Sequence, residues 1–294
     1  MPYAFLTDVH LSRYGHYTDA PTVEQLSGPF FLSQDDLEIT ATLRHDHTRL
    51  GYAVQLCTLR FLNTFLTDPT EVPPVVVQTL CHQLGLKDPS VLARYLEREP
   101  TRFAHQRQIR KRLGYKEFVG AEVLNLLRWL VSSVQLEETR PIELFDRCTR
   151  RLVARGVILP GATVLARLIV KVRERSAGQL YRQLEAQLIP SHKEALEQFV
   201  MVNDGKTRTS LEQLRDPPDR ISTPALLASL ERVKLIRALG VGDIPLKSFP
   251  ESRLLALVRH ADSASAYSLS RLSSARRYAT LLVYIGCNSD LRGG

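Results

Sequence analysis

Apolar residues recur along this chain at steps of three and four rather than two, a period that predicts helices almost throughout. Leu50, Ala53, Val54, Cys57, Phe61 and Phe65 form one such stripe, after a short link through His45, Asp46, His47 and Thr48. Upstream, Ser33 reads as an N-cap with Asp36 at the capping-box position and Leu37 opening the apolar pattern. Asp35 and Asp36 suit a helix start, where the dipole favours negative charge. Pro69, Pro73 and Pro74 interrupt the pattern, and a short helix then ends at Gly85 as C-cap. Asp88 and Pro89 restart it as N-cap and first-turn proline. The strand candidates, 75–77 and 281–284, sit inside helical patterns. The fold class expected is all-α.

After a boundary at Pro100, the helix over 101–113 carries few apolar positions. A helical wheel puts Phe103, Ile109 and Leu113 on one side and Ala104, His105, Arg107, Gln108, Lys111 and Arg112 on the other. Gly114 ends it, Tyr115 to Phe118 make a turn, and Val123, Leu124, Leu126, Leu127, Leu130 and Val134 form the next stripe. This reads as a helix-turn-helix, a pattern shared with any αα-hairpin. A second candidate follows: a helix over 141–155 capped by Gly156, a connection over 157–161, and a helix from Ala162. Val164, Leu165, Leu168, Ile169 and Val172 form its expected buried face; Thr163, Arg167, Val170 and Glu174 point outward. Such a helix can offer arginine to guanine, valine to a thymine methyl and threonine to a phosphate. Alternatively Val170 packs on another module. Further on come a turn at Asn203, Asp204, Gly205 and Lys206, a break over 216–219, and helices over 224–239, 251–266 and 270–285.

Charge sharpens this picture. Between Arg94 and Lys116, eight cations (Arg94, Arg98, Arg102, Arg107, Arg110, Lys111, Arg112 and Lys116) oppose only Glu97 and Glu99, and the 294-residue chain carries a formal net charge of +8. This is the electrostatic footprint of a phosphate-backbone binder, against the plainer reading of a solvated face. With 44% hydrophobic and 24% charged residues the composition is that of a soluble folded chain. Its length suits two or three domains.

No apolar run approaches the roughly 18 residues that span a bilayer, and no signal-peptide layout opens the chain. Cys57, Cys81, Cys148 and Cys287 are widely spaced and read as free thiols in a cytoplasmic protein. No Walker loop, GxGxxG or glycine-framed serine occurs. His45 and His47, two apart, would fall on opposite sides of a helix and lack a third ligand. No catalytic residue, metal or cofactor is expected. Arg-Leu-Gly-Tyr occurs at Arg49 and again at Arg112, in surroundings too different for a repeat.

Several segments, taken in order, resemble the N-terminal region of Tn-three family transposases, the replicative, cointegrate-forming bacterial type. They are HDHTRLGYAVQLCTLRFLNTFL, VPPVVVQTLCHQLGL, YLEREPTRFAHQRQIRKRLGYKEF, GVILPGATVLARLI, RTSLEQLR and RRYATLLVYI. The resemblance covers nearly the whole chain and is most specific in the first and third. It implies a multi-module helical array with helix-turn-helix-like units that binds the terminal inverted repeats of a transposon. The family's cutting and joining belong to a metal-dependent domain much further along, so no catalytic residue carries over. DNA contact carries onto Arg98, Arg102, His105, Arg107, Lys111, Arg112, Tyr115 and Lys116 of the basic segment and onto Thr163 and Arg167 of the turn-helix over 160–167, with Arg49 a weaker candidate; Val170 is a candidate from its outward place on the helix alone.

The expected modules are 1–135, 136–200 and 201–286, with 287–294 a polar tail read as a truncation point. The partner expected is double-stranded DNA at transposon ends, with full-length transposase or a second copy as a further partner, and no membrane or small-molecule substrate. The alternatives are a regulatory fragment that pairs with full-length transposase, or a transposon remnant.

Overall fold

Helix follows helix in this chain. Among the described residues, strand-like pairing is confined to an isolated bridge between Lys116 and Val157, so the protein is all-α as expected. The computed structural model describes residues 5–202, 207–215, 223–242 and 244–290. The turn expected at 203–206 and the break at 216–219 lie outside the described residues. The chain divides into two compact units, Met1–Leu130 with Arg140–Val170 and Val131–Thr139 with Lys171–Gly294. These bounds differ from 135, 200 and 286, because two continuous helices each contribute to both units.

In the first unit, α1 (Asp8–Arg13), α2 (Val23–Ser27) and α3 (Gln34–Ala41) lead to α4 (Asp46–Leu62) and α5 (Pro74–Leu84). A 3-10 segment (Pro89–Glu97) precedes α6 (Glu99–Leu113). Then come α7 (Ala121–Leu136), α8 (Pro141–Ala154) and α9 (Ala162–Glu185). The caps act as the sequence suggests. Ser33 and Asp36 form a reciprocal capping box on α3. Gly85 and Gly114, at φ +67 and +69, end α5 and α6 in the left-handed conformation that glycine tolerates. Pro100 sits inside the first turn of α6 rather than before it, where a missing N–H costs nothing.

Helix α4 is the centre of this unit. Leu50 through Leu59 are all buried, so the helix is enclosed on every side rather than along one stripe. Around it pack α3, α5, the 3-10 segment and α6. It ends at Asn63, a left-handed residue at φ 55, and does not continue to Phe65 as the stripe suggests. The two Arg-Leu-Gly-Tyr sequences indeed play different parts. Gly51 is mid-helix, facing the Tyr95 ring, whereas Gly114 ends a helix.

In the second unit, the end of α7 and the rest of α9 join α10 (Pro190–Val200), α11 (Ser210–Arg215), α12 (Thr223–Ala238), α13 (Glu251–Ser263), α14 (Ala266–Ser270) and α15 (Ser274–Asp290). Ala279 and Leu281 to Ile285 of α15 pack in a core with Leu196, Phe199 and Leu211. Arg215 donates to the carbonyls of Ala261 and Ala264 (2.8 Å to Ala264) and so closes the end of α13. Ser265 then caps α14, dividing the single helix expected over 251–266. Residues 287–290, expected as polar tail, continue α15.

Candidate nucleic-acid interface

The face of α6 turned into the unit differs from the wheel assignment. Ile109 is fully buried as expected, but His105 is only 6% exposed and Phe103 is 51% exposed. The inward positions are Arg102, His105, Ile109 and Arg112, at steps of three and four. The outward ones are Phe103, Ala104, Arg107, Gln108 and Lys111. Polarity alone misassigns His105 and Arg112, because each finds a polar partner inside that no local pattern reveals.

Arg112 Nη1 donates to Asp36 Oδ1 at 2.6 Å, and Arg60 Nη1 lies 2.9 Å from Asp36 Oδ2. Asp36 is fully buried, and its carboxylate also accepts from the Ser33 N–H at 2.9 Å. Burial pushes the Asp36 pKa up, but hydrogen bonds from Arg60 and Ser33 outweigh it and hold the carboxyl below its ordinary value. Asp36 is therefore more than a dipole-compensating helix start. It ties α3, α4 and α6 together.

His105 sits beside Tyr95, with Tyr95 Oη 2.9 Å from His105 Nδ1 and the Tyr52 ring edge-on. Gln55 Nε2 donates to Tyr95 Oη, which points the tyrosine proton at an unprotonated Nδ1. Burial lowers the His105 pKa in agreement. Below the unfolded value of about 6.5, the unfolded chain takes a proton that the folded one resists. This contribution to stability is whole above about pH 6.5 and is lost as pH falls towards the lower folded value. The denaturation midpoint of the first unit, read by Trp129 fluorescence, is expected to fall from about pH 7.5 to about 5.5. In His105→Gln the fall should be shallower. Some slope remains, because burial and Arg94 also lower the pKa of His47.

Two more expected contact residues serve the fold. Arg49 Nη2 donates to the Leu84 carbonyl at 3.1 Å, closing α5. Arg102 Nη1 donates to the Thr67 carbonyl at 2.7 Å and Nη2 lies 3.3 Å from Glu99. Arg98, Arg107 and Lys111 are exposed and make no ion pair with any described residue. Gln108 shares the outward face with Arg107 and Lys111.

The turn after α6 is fixed from three directions. Tyr115 Oη donates to Asn63 Oδ1 at 3.2 Å, and burial raises its pKa. The Lys116 N–H donates to the Gly156 carbonyl at 2.8 Å, and the Lys116 carbonyl accepts from Ile158 at 2.9 Å. Leu159 N–H donates to the Asn63 carbonyl at 3.0 Å. The end of α4, the α6–α7 turn and the α8–α9 connection are thus laced together. The Lys116 ammonium is exposed, 3.7 Å from Glu122, which also pairs with Arg155 at 3.3 Å.

On α9 the buried stripe is Leu165, Ala166, Ile169 and Val172, with Leu168 only partly buried. Val164, expected inside, is 45% exposed; Arg167 is exposed, and Thr163 and Val170 are half-buried. The stripe is rotated by about one residue because Ala166, too small to mark the pattern, occupies the core. The outward aliphatic group beside Arg167 is therefore Val164 more than Val170. A similar shift leaves Leu124 of α7 53% exposed. The rings of His45 and His47 stack at 5.3 Å instead of pointing apart, since His45 is the non-helical cap of α4. No group of three or more potential metal ligands occurs among the described residues, and no described helix is long and apolar enough to cross a membrane.

Fold and charge define the class first: an all-α protein region with a +8 excess and exposed cations on the outward face of α6. A family described as "Domain of unknown function (DUF4158)" matches residues 5–172, and the chain belongs to it. The relatives then specify the setting. The chain is 36% identical over 288 residues to the transposase for transposon gamma-delta of Escherichia coli (strain K12), covering 97% of this chain and 28% of that protein. It is 29% identical over 272 residues to the transposase for transposon Tn1546 of Enterococcus faecium, with 92% and 27% covered. To the transposase for transposon Tn501 of Pseudomonas aeruginosa it is 28% identical over 256 residues, with 87% and 26% covered. It corresponds to the N-terminal region of the Tn-three family transposases, and spans about a quarter of the length of these curated relatives.

Proposed function

We propose that this chain is a DNA-binding region of a transposase, that it recognises the terminal inverted repeats of a transposon, and that it performs no strand cleavage itself. The observation that carries this reading is the outward face of α6. Arg107, Gln108 and Lys111 lie there at helical spacing, with Ala104 leaving room for close approach, while the turn after α6 is hydrogen-bonded to the connection that starts α9. Arginine suits guanine and glutamine suits adenine in a major groove, and lysine suits a phosphate. Arg98, Lys116, Val164 and Arg167 extend the same proposed surface, in the manner of a helix-turn-helix. Arg49, Arg102, His105, Arg112 and Tyr115 support it from within.

This division of labour is testable. The double variant Arg107→Ala/Lys111→Ala is expected to flatten the plot of log affinity against log salt by up to about 0.9 for each phosphate that α6 no longer neutralises. Its thermal unfolding should match the parent. Arg112→Met should instead lower stability. An unchanged salt slope in the double variant would remove α6 from the interface. Incubation of the chain with duplex DNA and magnesium or manganese should leave the strands intact; cutting would overturn the non-catalytic part of the reading.

A further inference from the structure

The second unit contains a buried charge with no role in the α6 surface. Arg253 of α13 is only 6% exposed, yet it makes no hydrogen bond or ion pair with any described residue, and its Nε–H is buried without a partner. The contrast with Asp36 is informative. That equally enclosed charge has two guanidiniums on it, whereas Arg253 has no acceptor. A buried donor left without an acceptor is costly, and charges enclosed to this degree in folded proteins are normally paired. Its pKa is lowered, chiefly by burial.

Arg253 lines a cleft of about 360 Å³ wholly within the second unit, bounded by α9, α13, α15 and the end of α7. Two further nitrogens there lack hydrogen-bond partners: Arg276 Nε, whose guanidinium lies 6.0 Å from the Tyr181 ring centroid, and His260 Nε2. The acidic residues of the same cleft do not supply the missing partner. Glu138 is held by Arg173 at 2.8 Å, and Glu137 and Glu174 are exposed, where water and salt screen them.

We propose that this cleft is an oxyanion site, with Arg253 and Arg276 donating to a phosphate group and Tyr181 walling it. Phosphate fits better than a spherical anion, because guanidinium forks match the spacing of its oxygens. The phosphate belongs either to a nucleic-acid backbone or to a small phosphate ester, and the site is independent of the α6 surface.

The test is titration of the 294-residue chain with inorganic phosphate by calorimetry, with ionic strength held constant by chloride. Saturable binding is expected, weakened about ten- to hundredfold in Arg253→Met and in Arg276→Gln, the loss that one or two charge-assisted hydrogen bonds bring. Arg276→Gln keeps the test decisive if Arg253→Met does not fold. Absence of saturable binding, or equal binding by parent and both cleft variants, overturns the site. Repeating the titration with duplex DNA present distinguishes the two sources: competition identifies a backbone phosphate, and unchanged binding a small phosphate ester. Both results uphold the site.

Discussion

Replacing Asp36 with asparagine is expected to destabilise the first unit by about 3–5 kcal/mol, the range for removing one partner from a buried ion pair. The carboxylate is fully enclosed and receives Arg60, Arg112 and the Ser33 N–H. Without its charge, two guanidiniums remain facing each other around a neutral amide. Both arginines are about one-quarter exposed, so water relieves part of the loss and the lower end of the range is the better guide. The effect is pH-dependent with a definite sign. The folded pKa of Asp36 lies below its unfolded value, so its contribution is complete above about 4 and disappears as pH falls through the folded value. Parent and Asp36→Asn should differ at pH 7 and converge in strong acid. Urea unfolding read by Trp129 fluorescence, with Trp129 in the first-unit part of α7, checks both. Equal midpoints at pH 7 would show that the triad is not a support.

Gly51→Ala is expected to be the second large effect, and its sign opposes the usual rule. Inside a helix, glycine to alanine ordinarily stabilises by about 0.5–1 kcal/mol. Here a Cβ would lie well under 3.0 Å from three ring carbons of Tyr95. Tyr95 is itself 2% exposed and is tied to Gln55 and His105, so the ring has nowhere to swing. Overpacking of this kind costs about 1–3 kcal/mol or more, which outweighs the propensity gain. Gly51→Ala/Tyr95→Ala should recover part of the loss relative to Tyr95→Ala alone, because the added methyl then meets open space. Failure of that coupling to appear in the double-mutant cycle would contradict the close approach of α4 and the 3-10 segment.

These two sites also mark what the sequence can and cannot convey. Ser33, Gly85, Asp88, Gly114 and the prolines at 73, 74, 100 and 141 act within a few residues of themselves, so their effects are legible from the sequence alone. Asp36 meets Arg60 and Arg112 from 24 and 76 residues away, and Tyr95 meets Gly51 across a turn and a helix; no local period encodes such meetings. His105 and Arg112 read as outward cations because polarity is the only guide in the sequence, and their partners turn them inward. The rotation on α9 has a different cause. Ala166 fills the core yet carries almost no hydrophobic signal, so the apolar pattern gives its place to Val164. The basic surface is legible as composition, and the structure divides it into Arg107 and Lys111, exposed and unpaired, and Arg49, Arg102 and Arg112, engaged with carbonyls and carboxylates.

The most direct measurement is the affinity of the 294-residue chain for a transposon-end duplex and for a scrambled duplex of equal length, each at about 50 and about 200 mM salt. A DNA-recognising surface on α6 and α9 requires a preference for the end sequence that persists at the higher salt, where phosphate contacts alone fade. Equal affinity for both duplexes, vanishing together as salt rises, would contradict it.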